Sequence, residues 1–382
     1  MQRRNFLSLI PQAAVLASTP VLMRPAFAQD GVNARTITVG CSGALSGPLA
    51  GFGQELKIGV DAAMTQINAK GGIQGRALQL QMMDDGYVPT RTVDNVKKMI
   101  GESSVFALMS CIGTPNNAAI LPMIEENNLP YIAPLTGATS LRKASRHVFH
   151  VRASYSDETQ RLVSKLVDMG IKNLAIVYLD NAFGKEVLAD AQKTLAANGI
   201  KATAEVALAT DGKNLSGVIE QTLAAKPAAV FLASAGAAST GLVAGLKKVS
   251  PMLPIAGLSV ALTNDGLKQL GNAVSGLAIT MVFPDPNRAR IQIVRDYQAA
   301  MRAMGKEEFS LGSLESYINT RVLAEGLERA GRDLNRAKLQ TALASVRNFD
   351  LGGFMVNYQA SPFVASKYVD LGVMGSSGRF IG

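Results

Sequence analysis

After residue 35 the chain alternates between two rhythms of apolar residues. RTITVGC is a short β-branched run that ends in a glycine-rich loop, SGALSGPLAGFG. The next segment, QELKIGVDAAMTQINAKGG, sets Leu56, Val60, Ala63, Met64 and Ile67 on one stripe and stops at Gly71-Gly72. Apolar spacing near 3.6 with glycine just past the end predicts a helix with a C-terminal cap. ALQLQMM, VFALMS and LPYIAP then read as strands, separated by the helical stretches TVDNVKKMI and AAILPMIEENN. A second series begins near residue 156. Its helices are SDETQRLVSKLVDMG, GKEVLADAQKTLAANG, LSGVIEQTLAA and STGLVAGLKKV, and its strands are NLAIVYL, KATAEVAL, AAVFLAS and PIAGL.

Strands alternating with helices of this length predict parallel sheets built from right-handed βαβ units. Two series predict two doubly wound lobes. The remainder, one more strand (GLAITMVFP), three helices and the late strand SKYVDLGVM, has too little sheet to stand alone and must pack on those lobes. The expected division is a first lobe of residues 29–150 plus 286–349 and a second of 151–282 plus 358–382. The chain would then cross between lobes near 149–152, 282–286 and 350–358, and three connecting strands make a hinge rather than a loose tether.

The first 28 residues follow neither rhythm. Arg3 and Arg4 precede a mostly apolar stretch to Met23, no acidic residue occurs before Asp30, and the segment closes on Ala26-Phe27-Ala28. Basic start, short apolar middle and small-x-small end predict a secretory signal peptide over 1–28 and a periplasmic mature chain. The apolar run, interrupted by Pro11 and Pro20, falls short of the roughly 20 residues a membrane span needs. The arginine pair fits both the twin-arginine route, which exports folded proteins, and an ordinary leader for unfolded chains. Removing 1–28 takes Arg3, Arg4 and Arg24 and lowers the formal charge from +9 to +6. That excess is scattered, Trp is absent, and no basic face with interleaved aromatics emerges, so nucleic acid is not an expected partner. About 354 residues remain, more than one core usually holds.

Catalytic chemistry leaves little trace. His147 and His150 are the two histidines, and no Cys or carboxylate sits at ligand spacing beside them, so no metal is expected. No nucleophile elbow or phosphate-binding P-loop occurs, and GFGQEL carries Leu56 where a dinucleotide motif needs its third glycine, so no cofactor is expected either. Asp84 and Asp85, adjacent on a strand end, point to opposite sides and make no acid–base pair. What remains are polar, glycine-rich loops after the first-lobe strands, each leading into a helix: SGALSGPLAGFG, GTPNN and LTGATS. Ligands bind at this edge of open α/β sheets. The hydroxyls of Ser46, Thr114, Thr136 and Thr139, with free N–H groups at helix starts, are therefore placed to hold an anion such as a carboxylate. Singly, each residue reads more readily as a helix cap; three such loops meeting at one edge favour a site.

The combined run ITVGCSGALSGPLAGFGQELKIGVDAAMTQINAKGGIQGRALQL, followed by DDGYVPTRTVDNVKKMI, IAPLTGATSLR, VYLDNAFGKEV and DLGGFMVNY, resembles the type I periplasmic binding proteins of the leucine/isoleucine/valine-binding group. These are the solute receptors of ABC importers, and the resemblance covers essentially the whole mature chain. It implies a periplasmic binding protein type I fold, two Rossmann-like lobes joined by a three-segment hinge, and a non-enzymatic, monomeric receptor. It implies two partners: a small organic acid or amino acid and, transiently, an ABC permease in the inner membrane. A periplasmic sensor of the same fold is the alternative. Carried over by position, the resemblance gives Thr114, Thr136 and Gly137 the ligand carboxylate and sets the rings of Phe52 and Phe183 against the ligand, with Tyr155 facing the cleft. Ala235 and Ser259 fall where amino-acid receptors hold the ammonium group, yet neither offers a carboxylate. A buried ammonium without a charged partner is costly. An acid lacking an α-amine is therefore the expected ligand, unless a neighbour such as Asp180 or Asp265 supplies the charge. Cys41 and Cys111, on neighbouring strands of a 2-1-3-4-5 sheet, are read either as small buried residues or as a disulfide.

Overall fold

The computed structural model describes residues 30–381, so the expected leader 1–28 lies outside the described residues. The first sheet begins with β1 (Thr36–Gly43) and β2 (Ala77–Asp84), joined by α1 (Ala50–Ala69). It continues through α2 (Pro89–Gly101), β3 (Ala107–Met109), α3 (Thr114–Glu126), β4 (Tyr131–Ile132) and β5 (Val148–His150). The apolar stripe of α1 is buried as its spacing predicts, with Leu56 and Val60 fully enclosed. Each of those two side chains stabilises the lobe by on the order of 2 kcal/mol.

The second series holds α4 (Tyr155–Asp168), β6 (Leu174–Leu179), α5 (Ala182–Ala197), β7 (Ala204–Leu208), α6 (Leu215–Ala224), β8 (Ala229–Ala233), α7 (Gly236–Val249), β9 (Ile255–Gly257), α8 (Asn264–Leu270) and β10 (Ala278–Met281). Both sheets share one winding: β2-β1-β3-β4-β5 in the first and β7-β6-β8-β9-β10 in the second, all parallel. The fold is thus mixed α/β with two Rossmann-like lobes.

The last third divides itself between them. Helices α9 (Gln292–Ala303) and α10 (Leu311–Ala330) pack on α1 of the first lobe, and α11 (Arg336–Ala344) packs on α10. At Gly59 a Cβ would lie 2.1 Å from the Ser313 carbonyl, so only glycine lets α1 and α10 approach this closely. β11 (Phe349–Asp350) and β12 (Met355–Val356) form a separate hairpin. The expectation that residues 358–382 all join the second lobe needs correction. β13 (Phe363–Val364) extends the first sheet beside β5, its register pairing Phe363 with Phe149. Ring stacking explains the detour: Phe363 lies flat against Phe149, centroids 4.9 Å apart. Only β14 (Asp370–Met374), antiparallel to β10, and β15 (Phe380–Ile381) belong to the second sheet. The short helix α8 was not foreseen from the apolar pattern. Its seven residues are too few to show a period, and it is fixed by the Thr263 hydroxyl accepting from Gly266 N.

Candidate functional site

The strand-to-helix loops of both sheets face each other across a cleft, and a narrow cavity lies between them. The first lobe contributes Leu49, Phe52, Tyr87, Gly113 and Thr114, and the second contributes Tyr155, Phe183, Ala235 and Val260. Five of the ten residues singled out in the sequence therefore meet here: Phe52, Thr114, Tyr155, Phe183 and Ala235; Thr139 is exposed, its N–H donating to Glu186 Oε1. The walls are largely apolar. Tyr155 and Phe183 meet edge to face at 5.0 Å between centroids, a geometry that fixes both rings.

The polar end is made by the first lobe. Thr114 opens α3 behind Gly113, so the N-terminal turn of that helix is presented to the cavity. Pro115 lacks an N–H, and the other first-turn N–H groups carry the positive end of the helix dipole. Thr136 stands behind the cavity wall, its hydroxyl 2.8 Å from that of Thr114 and accepting from Ala138 N at 3.2 Å. Gly137 supports rather than lines the site. Its carbonyl accepts from Tyr155 N at 2.8 Å, and a Cβ there would come within 2.7 Å of the Tyr155 ring.

Two further expected site residues face elsewhere. Ser46 is exposed and donates to Asp84 Oδ2 at 2.6 Å, closing the turn after β1 rather than reaching the cavity. Asp85 points the other way, as strand alternation requires, accepting from Ser42 Oγ at 2.8 Å and Thr92 Oγ1 at 2.9 Å. Ser259 sits behind the cavity. Its hydroxyl accepts from Arg152 Nη2 at 2.5 Å and its N–H donates to Glu158 Oε2 at 2.9 Å.

That contact reveals a cluster that no local pattern along the chain could assemble. Arg152 is fully buried after β5, on the segment that leaves the first sheet for the second. Its Nη2 pairs with Glu158 Oε1 of α4 at 3.0 Å, and its Nη1 lies 3.3 Å from Glu315 Oε2 of α10. The guanidinium carbon stands 5.2 Å from the Tyr155 ring centre, a cation–π contact against the back of the cavity wall. Burial works against the Arg152 charge, but Glu315 and Glu158 more than offset it and raise its pKa. Burial dominates at Glu315, whose pKa is raised despite Arg152.

Tyr87 is the other residue missed. It sits at φ 65° in the Gly86-Tyr87 turn, and its ring packs where any side chain at Gly113 (φ 94°) would collide with it at 2.2 Å. Beside the lobes' contact, Glu55 of α1 accepts from Asn264 N of α8 at 2.6 Å, and burial pushes its pKa up to about 7. Cys41 and Cys111 are free thiols, both buried, and Ser42 N donates to Cys111 Sγ at 3.3 Å. His147 contacts Gln340 Nε2 at 2.7 Å, whereas neither ring nitrogen of His150 has a partner. Among the described residues no group of three or more His, Cys, Asp or Glu is arranged to hold a metal, and no helix is long and apolar enough to cross a membrane.

Two lobes of equal winding, with loops converging on an apolar interlobe cavity, define a two-lobed solute receptor by shape. The sequence matches the periplasmic binding protein family over residues 36–363, and the chain belongs to it. The Leu/Ile/Val-binding protein BraC3 of Rhizobium johnstonii is 26% identical over 313 residues, which cover 80% of this chain and 83% of that one. A substrate-binding periplasmic protein from Ralstonia solanacearum superposes with a TM-score of 0.84 at 29% identity, covering 90% of this chain and 99% of its own. An ABC transporter solute-binding protein from R. palustris, solved with benzoate, has a TM-score of 0.81 at 16% identity and coverages of 91% and 95%, a likeness of fold alone.

Proposed function

We propose that this protein captures a small carboxylate-bearing ligand with an apolar body in the interlobe cavity and delivers it to an ABC permease. The supporting observation is the division of labour in one cavity: the α3 N-terminus and Thr114 for the anion, and Phe52, Tyr155 and Phe183 for the body. Helix N-termini favour carboxylates, and desolvated rings supply apolar area. An α-amine beside that carboxylate finds no carboxylate partner: the side chain of Ala235 brings no polar atom, and Ser259 is engaged by Arg152. An acid without an α-amine is therefore the preferred ligand. The lobes close on it as rigid bodies, a population shift driven by contacts from both sides. The passages between sheets near 149–152, 282–286 and, in place of the expected 350–358, 365–369 serve as the hinge. Residues 1–28 direct export to the periplasm, by the twin-arginine or the unfolded-chain route.

Calorimetric titration of the purified mature protein tests this. Benzoate, phenylacetate and C4–C8 aliphatic acids are compared with leucine and valine. The expected result is binding of at least one acid with both α-amino acids at least tenfold weaker. Tight binding of leucine or valine, with the simple acids inert, overturns the ligand assignment.

A further inference from the structure

Behind the ligand cavity the interlobe space narrows into a small recess, wide enough for a group about the size of one water. The two share Phe52, Leu135 and Val260, so they adjoin. Their chemistry differs. The recess is lined by Ser259 and by two carboxylates, Glu55 and Glu315, and by no Lys or Arg among the described residues.

The hydrogen-bond balance around Arg152 shows why this matters. Glu158 is saturated: it accepts from Arg152 Nη2 at 3.0 Å, Ser259 N at 2.9 Å and Thr280 Oγ1 at 2.5 Å. Glu315, whose side chain is only 8% exposed, has both oxygens served by the single Nη1 of Arg152, at 3.4 and 3.3 Å. It therefore keeps unused lone pairs on the side of the recess. Arg142 adds positive charge on the Glu158 side, so Glu315 is the carboxylate left with the poorest set of partners. A buried charge without a full set of partners is strongly disfavoured, so the site is completed by a donor that brings positive charge. The raised pKa of Glu315, caused first by burial, is the mark of the same deficit.

Resting on the reading of the front cavity as a carboxylate site, we propose that the recess is a subsite for a cationic group of the ligand, with Glu315 as its principal acceptor and Ser259 and Glu55 beside it. The ligand is then an acid whose amine lies at the far end of its apolar body, not next to its carboxylate. Such a molecule lays its anion at α3, its body between Phe52, Tyr155 and Phe183, and its ammonium against α10.

Matched pairs separate this from the parent reading: hexanoate with 6-aminohexanoate, and 3-phenylpropanoate with 3-[4-(aminomethyl)phenyl]propanoate, titrated into the mature protein and into Glu315→Gln. In at least one pair the amine-bearing member binds tenfold or more tightly, and Glu315→Gln brings that pair within threefold. If the simple acids bind but the amine gives no advantage in either pair, or if the advantage survives Glu315→Gln, the rear subsite is overturned and the carboxylate reading stands. If neither simple acid nor its aminated partner binds, the carboxylate reading falls and the subsite with it. Should Glu315→Gln fail to fold, as judged by its melting temperature, Glu55→Gln is read in its place, with at least a threefold loss of the amine's advantage expected.

Discussion

The two lobes are wound in the same strand order but present opposite chemistry to the cleft. The first offers a polar end, the α3 N-terminus with its paired hydroxyls Thr114 and Thr136. The second offers mainly surface, the crossed rings of Tyr155 and Phe183 with Ala235 and Val260. Equal topology has thus been put to unequal use: in the function proposed above, one lobe fixes where the ligand's charge goes, and the other excludes water from it. Backbone winding decides where a site can be, and the few side chains at loop tips decide what it does.

The severest disturbance of this contrast is at the junction. Arg152→Met leaves Glu158 and Glu315 buried without their cation and is expected to cost about 3–5 kcal/mol, the range for breaking one side of a buried ion pair. Denaturant unfolding measures it. A loss below about 1 kcal/mol would mean water already compensates the carboxylates. Next is Phe183→Ala, which empties the covering side. Ligand affinity is expected to fall at least thirtyfold by calorimetry, with a stability loss of about 3 kcal/mol for a buried ring. Thr114→Val tests the anion side more gently. It leaves the Thr136 hydroxyl with Ala138 N alone, lowers stability by about 1 kcal/mol and weakens acid ligands about tenfold. If Phe183→Ala abolishes binding while Thr114→Val leaves it untouched, the assignment of charge to the first lobe is wrong.

The smallest effect is a pH slope. Burial, with Arg142 nearby, pushes the His150 pKa down to about 3 from an ordinary value near 6.5. The folded state therefore holds His150 neutral while the unfolded chain takes up a proton. Its contribution to stability is complete above about pH 6.5 and is lost progressively as pH falls toward 3. His150→Leu should flatten that part of the decline, seen as a melting-temperature difference between variant and parent that shifts in the variant's favour on acidification. An unchanged difference across that range would show that His150 is as protonated folded as unfolded.

Much of the architecture was legible because α1 and the βαβ repeats carry their own periodicity, and glycine pairs such as Gly71-Gly72 mark their ends. Residues 358–382 were misassigned in part because Phe363–Val364 is too short to show a period. Its place is decided by Phe149, more than two hundred positions earlier. The site shows the same divide. Thr114 and Phe183 stand at helix starts, where position alone points to the cleft edge. Arg152, Glu158 and Glu315 look like ordinary surface charges until folding joins residues up to 163 positions apart. Ser259 was read as facing the ligand because nothing local to it announces Arg152. Tyr87 was overlooked because a ring in a left-handed turn is improbable until Gly113 is seen to make room for it.

The close seating of α10 on α1 at Gly59 has a consequence for biogenesis. The first lobe is begun by residue 36 but lacks the helix that covers α1 until residues 311–330 have been made. At roughly 5–20 residues per second, the ribosome needs on the order of 15–50 s to bridge that gap. During that interval the apolar stripe of α1 stays uncovered, and a nascent chain of this kind is a natural client for chaperones that hold it open.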